Sequence, residues 1–121
     1  MPGYTVVKDA QDNPIALVEW KSPPVIEIRG LLPKQSISSW LRLSSDRSAR
    51  AMEVRSVRYI WAPHNNSINL HVGDFNRTFL ANVSKIQNSI AIQITSDAIN
   101  QRLLESVIIA AMLLQCGRNI D

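Results

Sequence analysis

Four arginines stand close together in the middle of the chain, Arg47, Arg50, Arg55 and Arg58, against one acid, Glu53. Residues 1–46 carry five basic and five acidic side chains and residues 62–121 carry four of each, so the whole formal charge of +3 falls in residues 47–61. Guanidinium groups are planar forks that match phosphate oxygens two bonds at a time, which a lysine ammonium cannot do. The segment therefore reads as an anion site for a phosphate-bearing head group. With a turn at Ser45–Ser48, Arg47 and Arg50 lie at a loop mouth beside Arg42 and Lys34. Arg58 falls on the face opposite Tyr59, and Arg55 shares the face of Val57 unless a bulge intervenes. The competing reading is a solvated strand face whose charges pair with Glu53, Asp46 and Glu19.

Catalytic residue types meet at one other place, His64, His71 and Asp74. Two imidazoles and a carboxylate can hold a metal or move protons, but this spacing matches no zinc or nuclease motif. No serine stands in a nucleophile-elbow context, and neither phosphate-binding glycine loops nor Cys/His metal spacings occur. No catalytic site, metal or cofactor is therefore assigned. Trp20, Trp40 and Trp61 fall near strand ends or turns, where indoles either stack sugars and bases or plug the ends of a small barrel; the plugging role is favoured. Cys116, Met52 and Met112 read as core residues.

The frame that must position these groups is an ordinary one. The chain has 121 residues, 45% hydrophobic and 19% charged, enough for a single domain with one core and too apolar for disorder. Its start has no basic stretch followed by an apolar one, so no secretory leader is expected. Three sequons, at Asn65, Asn76 and Asn82, then read as chance. The longest apolar run, Val107 to Leu114, is too short to span a membrane. One cysteine allows no internal disulfide, and a cytoplasmic location, peripheral at membranes, is the expectation.

Hydrophobic alternation and turn clusters mark strands over Tyr4–Asp9, Ile15–Trp20 and Val25–Arg29, the last ended by Gly30 and Pro33. Ser36–Ser44 carries both helical and strand spacing, with strand favoured from Trp40. A long strand follows over Met52–Trp61, with a bulge where Val54 and Val57 fall out of phase. Further strands are Ile68–Val72, Thr78–Val83 and Ile90–Ile94. From residue 97 to 117 the pattern predicts one helix, capped by Ser96 or Asp97 and stopped by Gly117. It is apolar on every face over two turns, so it must be covered all round. Either the strands curl around it, or it is clamped between the sheet and a partner chain. The expected fold is mainly β with one C-terminal helix: a small antiparallel β-barrel, not necessarily complete, wrapped around a central hydrophobic helix at about residues 97–117.

Short pieces along the chain carry a resemblance. They are Val7-Lys8-Asp9, Pro14-Ile15-Ala16, Glu27-Ile28-Arg29-Gly30, Trp40-Leu41, Arg50-Ala51-Met52 and Tyr59-Ile60-Trp61. The ending adds Leu103-Leu104-Glu105, Leu113-Leu114-Gln115 and Gly117-Arg118-Asn119-Ile120-Asp121. The chain resembles the tubby-like superfamily, which includes the tubby C-terminal domain and the phospholipid scramblases, and in particular the small tubby-like domains of mushroom-forming fungi. The resemblance implies a barrel around a hydrophobic helix. It also implies binding of phosphoinositide head groups or, as in scramblase-like members, lipids and calcium, although no ligand residue of either family maps onto a position here.

Three readings of function follow. The first is a non-enzymatic binding module for an anionic membrane lipid such as a phosphoinositide, or for a phosphorylated partner, through Arg42, Arg47, Arg50, Arg55, Arg58 and Lys34. The second is a structural or protein-interaction domain that self-associates. The third, ranked below them, is a single-stranded nucleic-acid binder.

Overall fold

The computed structural model describes residues 3–73 and 77–121. The fold is mainly β, two antiparallel sheets and C-terminal helices, and it divides into two compact units. The first holds residues up to Trp40 together with Arg118–Asp121, and the second holds Leu41–Gly117.

In the first unit, β1 (Gly3–Lys8), β2 (Pro14–Trp20), β3 (Val25–Ile28) and β4 (Leu32–Ser36) pair in chain order as an antiparallel meander. One helical turn follows, α1 (Ile37–Trp40). Alternation along β2 and β3 puts Ala16, Val18, Ile26 and Ile28 on the buried face. Gly30 takes a φ of +73° in the β3–β4 turn, a conformation that glycine adopts without the Cβ penalty. β4 is a strand where Pro33 was expected to end one. On an edge strand, a proline's missing N–H leaves no partner unsatisfied. The C-terminal residues belong here too: the Arg118 guanidinium lies 4.7 Å over the Trp20 ring, and Ile120 is buried.

In the second unit, β5 (Leu41–Leu43), β6 (Arg50–Val54), β7 (Val57–His64), β8 (Ser67–Val72), β9 (Phe79–Ile86) and β10 (Ser89–Ile94) again pair in chain order. Two corrections to the sequence reading lie here. The expected long strand with a bulge is two strands joined by a hairpin. Val54 faces Val57 across the two-residue turn Arg55-Ser56, at φ +50° and +69°. Two positive φ values are those of a type I′ turn, and neither residue is the Asn or Gly that usually announces one.

The single helix expected over 97–117 is two helices, α2 (Ser96–Asn100) and α3 (Leu104–Gln115). The Thr95 hydroxyl, rather than Ser96 or Asp97, accepts the Ala98 N–H at 3.2 Å and starts α2. At its end the Leu103 N–H donates to the Ala98 carbonyl and the Arg102 N–H to the Ile99 carbonyl. Arg102 has a φ of +60°. This is a Schellman ending with arginine in the usual glycine position, fixed by burial of Ala98 and Leu103 together.

Helix α3 packs on β9 and β10 and buries Val107, Ile109, Ala110, Ala111 and Leu113. It is not covered all round, because Leu104 and Ile108 stay 44% and 42% exposed. Nor does either sheet close on itself: β1 and β4 are edges of one, β5 and β10 of the other, and no closed barrel is present among the described residues.

Candidate functional site

The sheet register separates the basic residues read from the sequence. Arg50 stands opposite Trp61 and Leu43, on the face of the six-stranded sheet that carries Met52, Tyr59 and Leu70. It is half-buried, and its guanidinium donates to the Leu41 carbonyl at 2.9 Å. Arg42 and Arg58 fall on the opposite, exposed face, with Arg58 in register with Glu53. Arg47 occupies the β5–β6 loop at one end of β6, and Arg55 the hairpin turn at the other. The Arg55 guanidinium donates to the Arg102 carbonyl at 3.0 Å and so ties the hairpin to the α2–α3 link. Lys34, in the first unit, is held by Glu19 at 2.8 Å. That contact raises the lysine's pKa and lowers the carboxylate's.

The β5–β6 loop that presents Arg47 is organised around Asp46. Its Oδ1 accepts from the Ser44 hydroxyl at 2.6 Å, the Ser48 hydroxyl at 2.7 Å and the Ser48 N–H at 3.0 Å. These bonds hold the carboxyl at a pKa of about 2. The loop thus satisfies its own acid, while the Arg47 side chain has no partner among the described residues.

His64 and His71 do not meet. His64 faces Ser67 at the hairpin end of β7 and β8, whereas His71 faces Ile60 toward the other end. Asp74, the expected third member, and the sequon residue Asn76 lie outside the described residues. No group of three or more metal-ligating side chains occurs among the described residues. Trp40 and Trp61 are buried, and the half-buried Trp20 donates its indole N–H to the Thr5 hydroxyl at 2.8 Å. Met52 is buried, while Met112 and Cys116 are half-buried.

One concave feature of the first unit involves none of those six basic residues. It is an open cleft of about 600 Å³ on the exposed face of the four-stranded sheet, lined by β1, β2 and β3 with the β1–β2 turn. Val6 stands opposite Leu17, and Leu17 opposite Glu27, so these three side chains form one row across three strands. Ile15 lies beside them and accepts the Arg29 N–H on its carbonyl at 2.8 Å. Val6, Ile15 and Leu17 make an apolar floor, rimmed by Lys8 and Asp12 on one side and by Glu27 and Arg29 on the other.

The rim charges are not equivalent. Lys8 pairs with Asp12 at 3.4 Å. Glu27 acts on Lys34 through space and helps to raise its pKa. The Arg29 guanidinium alone among the cleft's cations has neither hydrogen bond nor ion pair among the described residues. A cleft in the 300–1,000 Å³ range with an apolar lining and few polar groups is the usual form of a small-molecule site. Its sequence signal was weak. Val6, Ile15 and Leu17 read as ordinary strand residues, and Arg29 sits outside the charge cluster.

Comparison with protein-family models, with curated proteins and with solved structures returned no match. No helix among the described residues is long and apolar enough to cross a membrane.

Proposed function

We propose that this chain is a non-enzymatic binding module for an amphiphilic anion, a molecule with an apolar body and a phosphate or carboxylate head. The observation that carries the reading is the cleft, where an apolar floor of Val6, Ile15 and Leu17 adjoins the guanidinium of Arg29, which has no partner among the described residues. An alkyl or acyl chain would lie on the floor, gaining roughly 25 cal/mol for each Å² of apolar surface removed from water. The head group would take two charge-assisted hydrogen bonds from Arg29.

This keeps the anionic-lipid class suggested by the sequence and moves its centre to another surface. Of the six basic residues first considered, Arg50, Arg55 and Lys34 are already engaged inside the protein. A lipid-binding module of this kind would work peripherally at a membrane from the cytoplasmic side. Kinship with tubby-like domains belongs to the same proposal. Antiparallel strands throughout the described residues ahead of a largely buried C-terminal helix support it.

Calorimetric titration with decyl phosphate below its micellar concentration tests the reading. Inorganic phosphate supplies the head alone, and octyl glucoside a chain with a neutral head. Decyl phosphate should bind more tightly than either. Arg29→Gln should weaken it by about 10- to 100-fold, the loss of a hydrogen bond to a charged group. Equal binding of decyl phosphate and octyl glucoside, or unchanged binding by Arg29→Gln, would sink it.

A further inference from the structure

The described residues show four sheet edges, and three carry the devices that keep an open strand from pairing with another chain. β1 has Lys8 with a register irregularity beside it. β4 contains Pro33 and Lys34. β5 is three residues long and contains Arg42. β10 has no such protection. Its sequence, Ser89-Ile90-Ala91-Ile92-Gln93-Ile94, contains no charge, no proline and no glycine, and not one of its residues is buried.

The hydrogen-bond phase of β10 decides what its free edge offers. The Thr95 N–H donates to the Leu80 carbonyl at 2.9 Å, and Ile94 faces Ala81, Ile92 faces Val83 and Ile90 faces Lys85. Hydrogen-bonded and non-bonded pairs alternate along an antiparallel ladder. Ser89, Ala91 and Gln93 therefore bond to β9, and Ile90, Ile92 and Ile94 turn their N–H and C=O groups outward. Three isoleucines thus hold the open donors and acceptors. Their side chains share the sheet face of Val83 and Ala81, and α3, with its exposed Leu104 and Ile108, packs on this same strand.

We infer that β10 is a self-association edge and that its partner is the β10 of a second copy of this chain, antiparallel about a two-fold axis through Ile92. The strand is self-complementary in that register. Ile92 meets Ile92 of the other copy, Ile90 meets Ile94, and each of these pairs exchanges two main-chain hydrogen bonds. Ala91 meets Gln93 on the other face, and no charged side chain of the strand opposes another. The register also places the two Lys85 side chains at opposite ends of the joined edge, which a parallel arrangement would not. Because β5, at the far side of the sheet, is short and charged, the pairing closes at two copies and joins two six-stranded sheets into one of twelve.

Sedimentation at 10–100 µM should show a dimer. Ile90→Pro removes an outward N–H that β9 does not use, at a place where an edge strand tolerates proline, and should give a folded monomer by circular dichroism. Register is read separately in a Cys116→Ser background. Chains with Ala91→Cys mixed with chains with Gln93→Cys should form a mixed disulfide far more readily than either forms with itself. A strict monomer over that range, a dimer unmoved by Ile90→Pro, growth beyond two copies, or equal self- and cross-linking would each overturn the inference. None depends on decyl phosphate binding.

Discussion

On the four-stranded sheet, the exposed face sets Val6, Ile15 and Leu17 among a lysine, two carboxylates and an arginine without a partner among the described residues. On the six-stranded sheet, the face opposite Trp61, Leu70 and Val83 sets Ser67, Asn69 and Asn82 side by side, already bonded to one another. The Asn82 amide donates to Asn69 Oδ1 at 2.7 Å and to the Ser67 hydroxyl at 2.8 Å, and Ser67 donates onward to the His64 carbonyl at 2.8 Å. Those three side chains spend their donors and acceptors on one another and leave little for a ligand at that place, although Arg42 and Arg58 lie farther along the same face. An apolar floor beside a free guanidinium has both hydrophobic surface and charge still to satisfy. The proposed ligand site therefore falls on the first sheet, and the Ser67, Asn69 and Asn82 side chains of the second tie strands together.

The largest expected effect contrasts the covered interior of the second unit with the cleft floor of the first. Ile109 on α3 is fully buried, whereas Val6 is 48% exposed. Ile109→Asp places a carboxylate where it has neither water nor a partner, which costs several kcal/mol and takes up most of the 5–15 kcal/mol that holds a domain folded. Circular dichroism should show an unfolded chain. Val6→Asp should cost about 1 kcal/mol or less, the size of a strand-propensity change at a surface, and leave a cooperative melt. Similar losses at the two positions would mean that the cleft floor is part of the core.

Much of this frame was legible from residue patterns, because alternation and turn chemistry are local. Ile15–Trp20, Ile68–Val72 and Ile90–Ile94 fall inside observed strands, within a residue or two at their ends. Two of the misses, the hairpin and the helix break, share one cause, positive φ taken by residues that do not advertise it. Arg55-Ser56 turns a hairpin, and Arg102 ends a helix, without glycine or asparagine. The only trace of the second in the sequence is the spacing of Ala98 and Leu103, which the Schellman ending buries together. The arginine cluster was visible as composition, but strand phase decides which side of a sheet each side chain takes. A hairpin in place of a bulge re-sorts them. The cleft was not legible at all, since it needs Lys8, Ile15 and Arg29 from three strands and a turn that fix their register only together.

A middle-sized effect tests whether the polar face of the six-stranded sheet is structural. Asn82→Ala removes the donor to Asn69 and Ser67, both half-buried. Leaving Asn69 Oδ1 unpaired there should cost about 1–2 kcal/mol in denaturant midpoint analysis. Decyl phosphate binding at the cleft should be unchanged. Loss of that binding with unaltered stability would reverse the assignment of roles to the two sheets.

The smallest effect separates two carboxylates, exposed Asp46 in the β5–β6 loop and half-buried Glu19 on β2, by what holds them. Asp46 is held at a pKa of about 2 by two serine hydroxyls and an amide, all neutral donors. Glu19 is held below its ordinary value first by its hydrogen bond to the Lys34 ammonium. Both pKa values are depressed in the folded state, so each group stabilises the fold fully above its unfolded pKa, near 3.8 for Asp46 and 4.5 for Glu19. Each contribution fades as pH falls through the folded value. For Asp46 the loss runs from about pH 4 down to about pH 2. Salt should tell the two apart, because at 1 M the screening length shrinks to about 3 Å and ion pairs weaken more than bonds from neutral donors do. Melting temperatures of Asp46→Ala and Glu19→Gln, measured from pH 6 to 2, should each converge on the wild-type value at the acid end. In 1 M NaCl the Glu19→Gln difference at pH 6 should shrink while the Asp46→Ala difference persists. Equal salt sensitivity would place the Asp46 carboxylate under the control of a nearby cation, Arg47 being the adjacent one, and that guanidinium would then not be open to an anion.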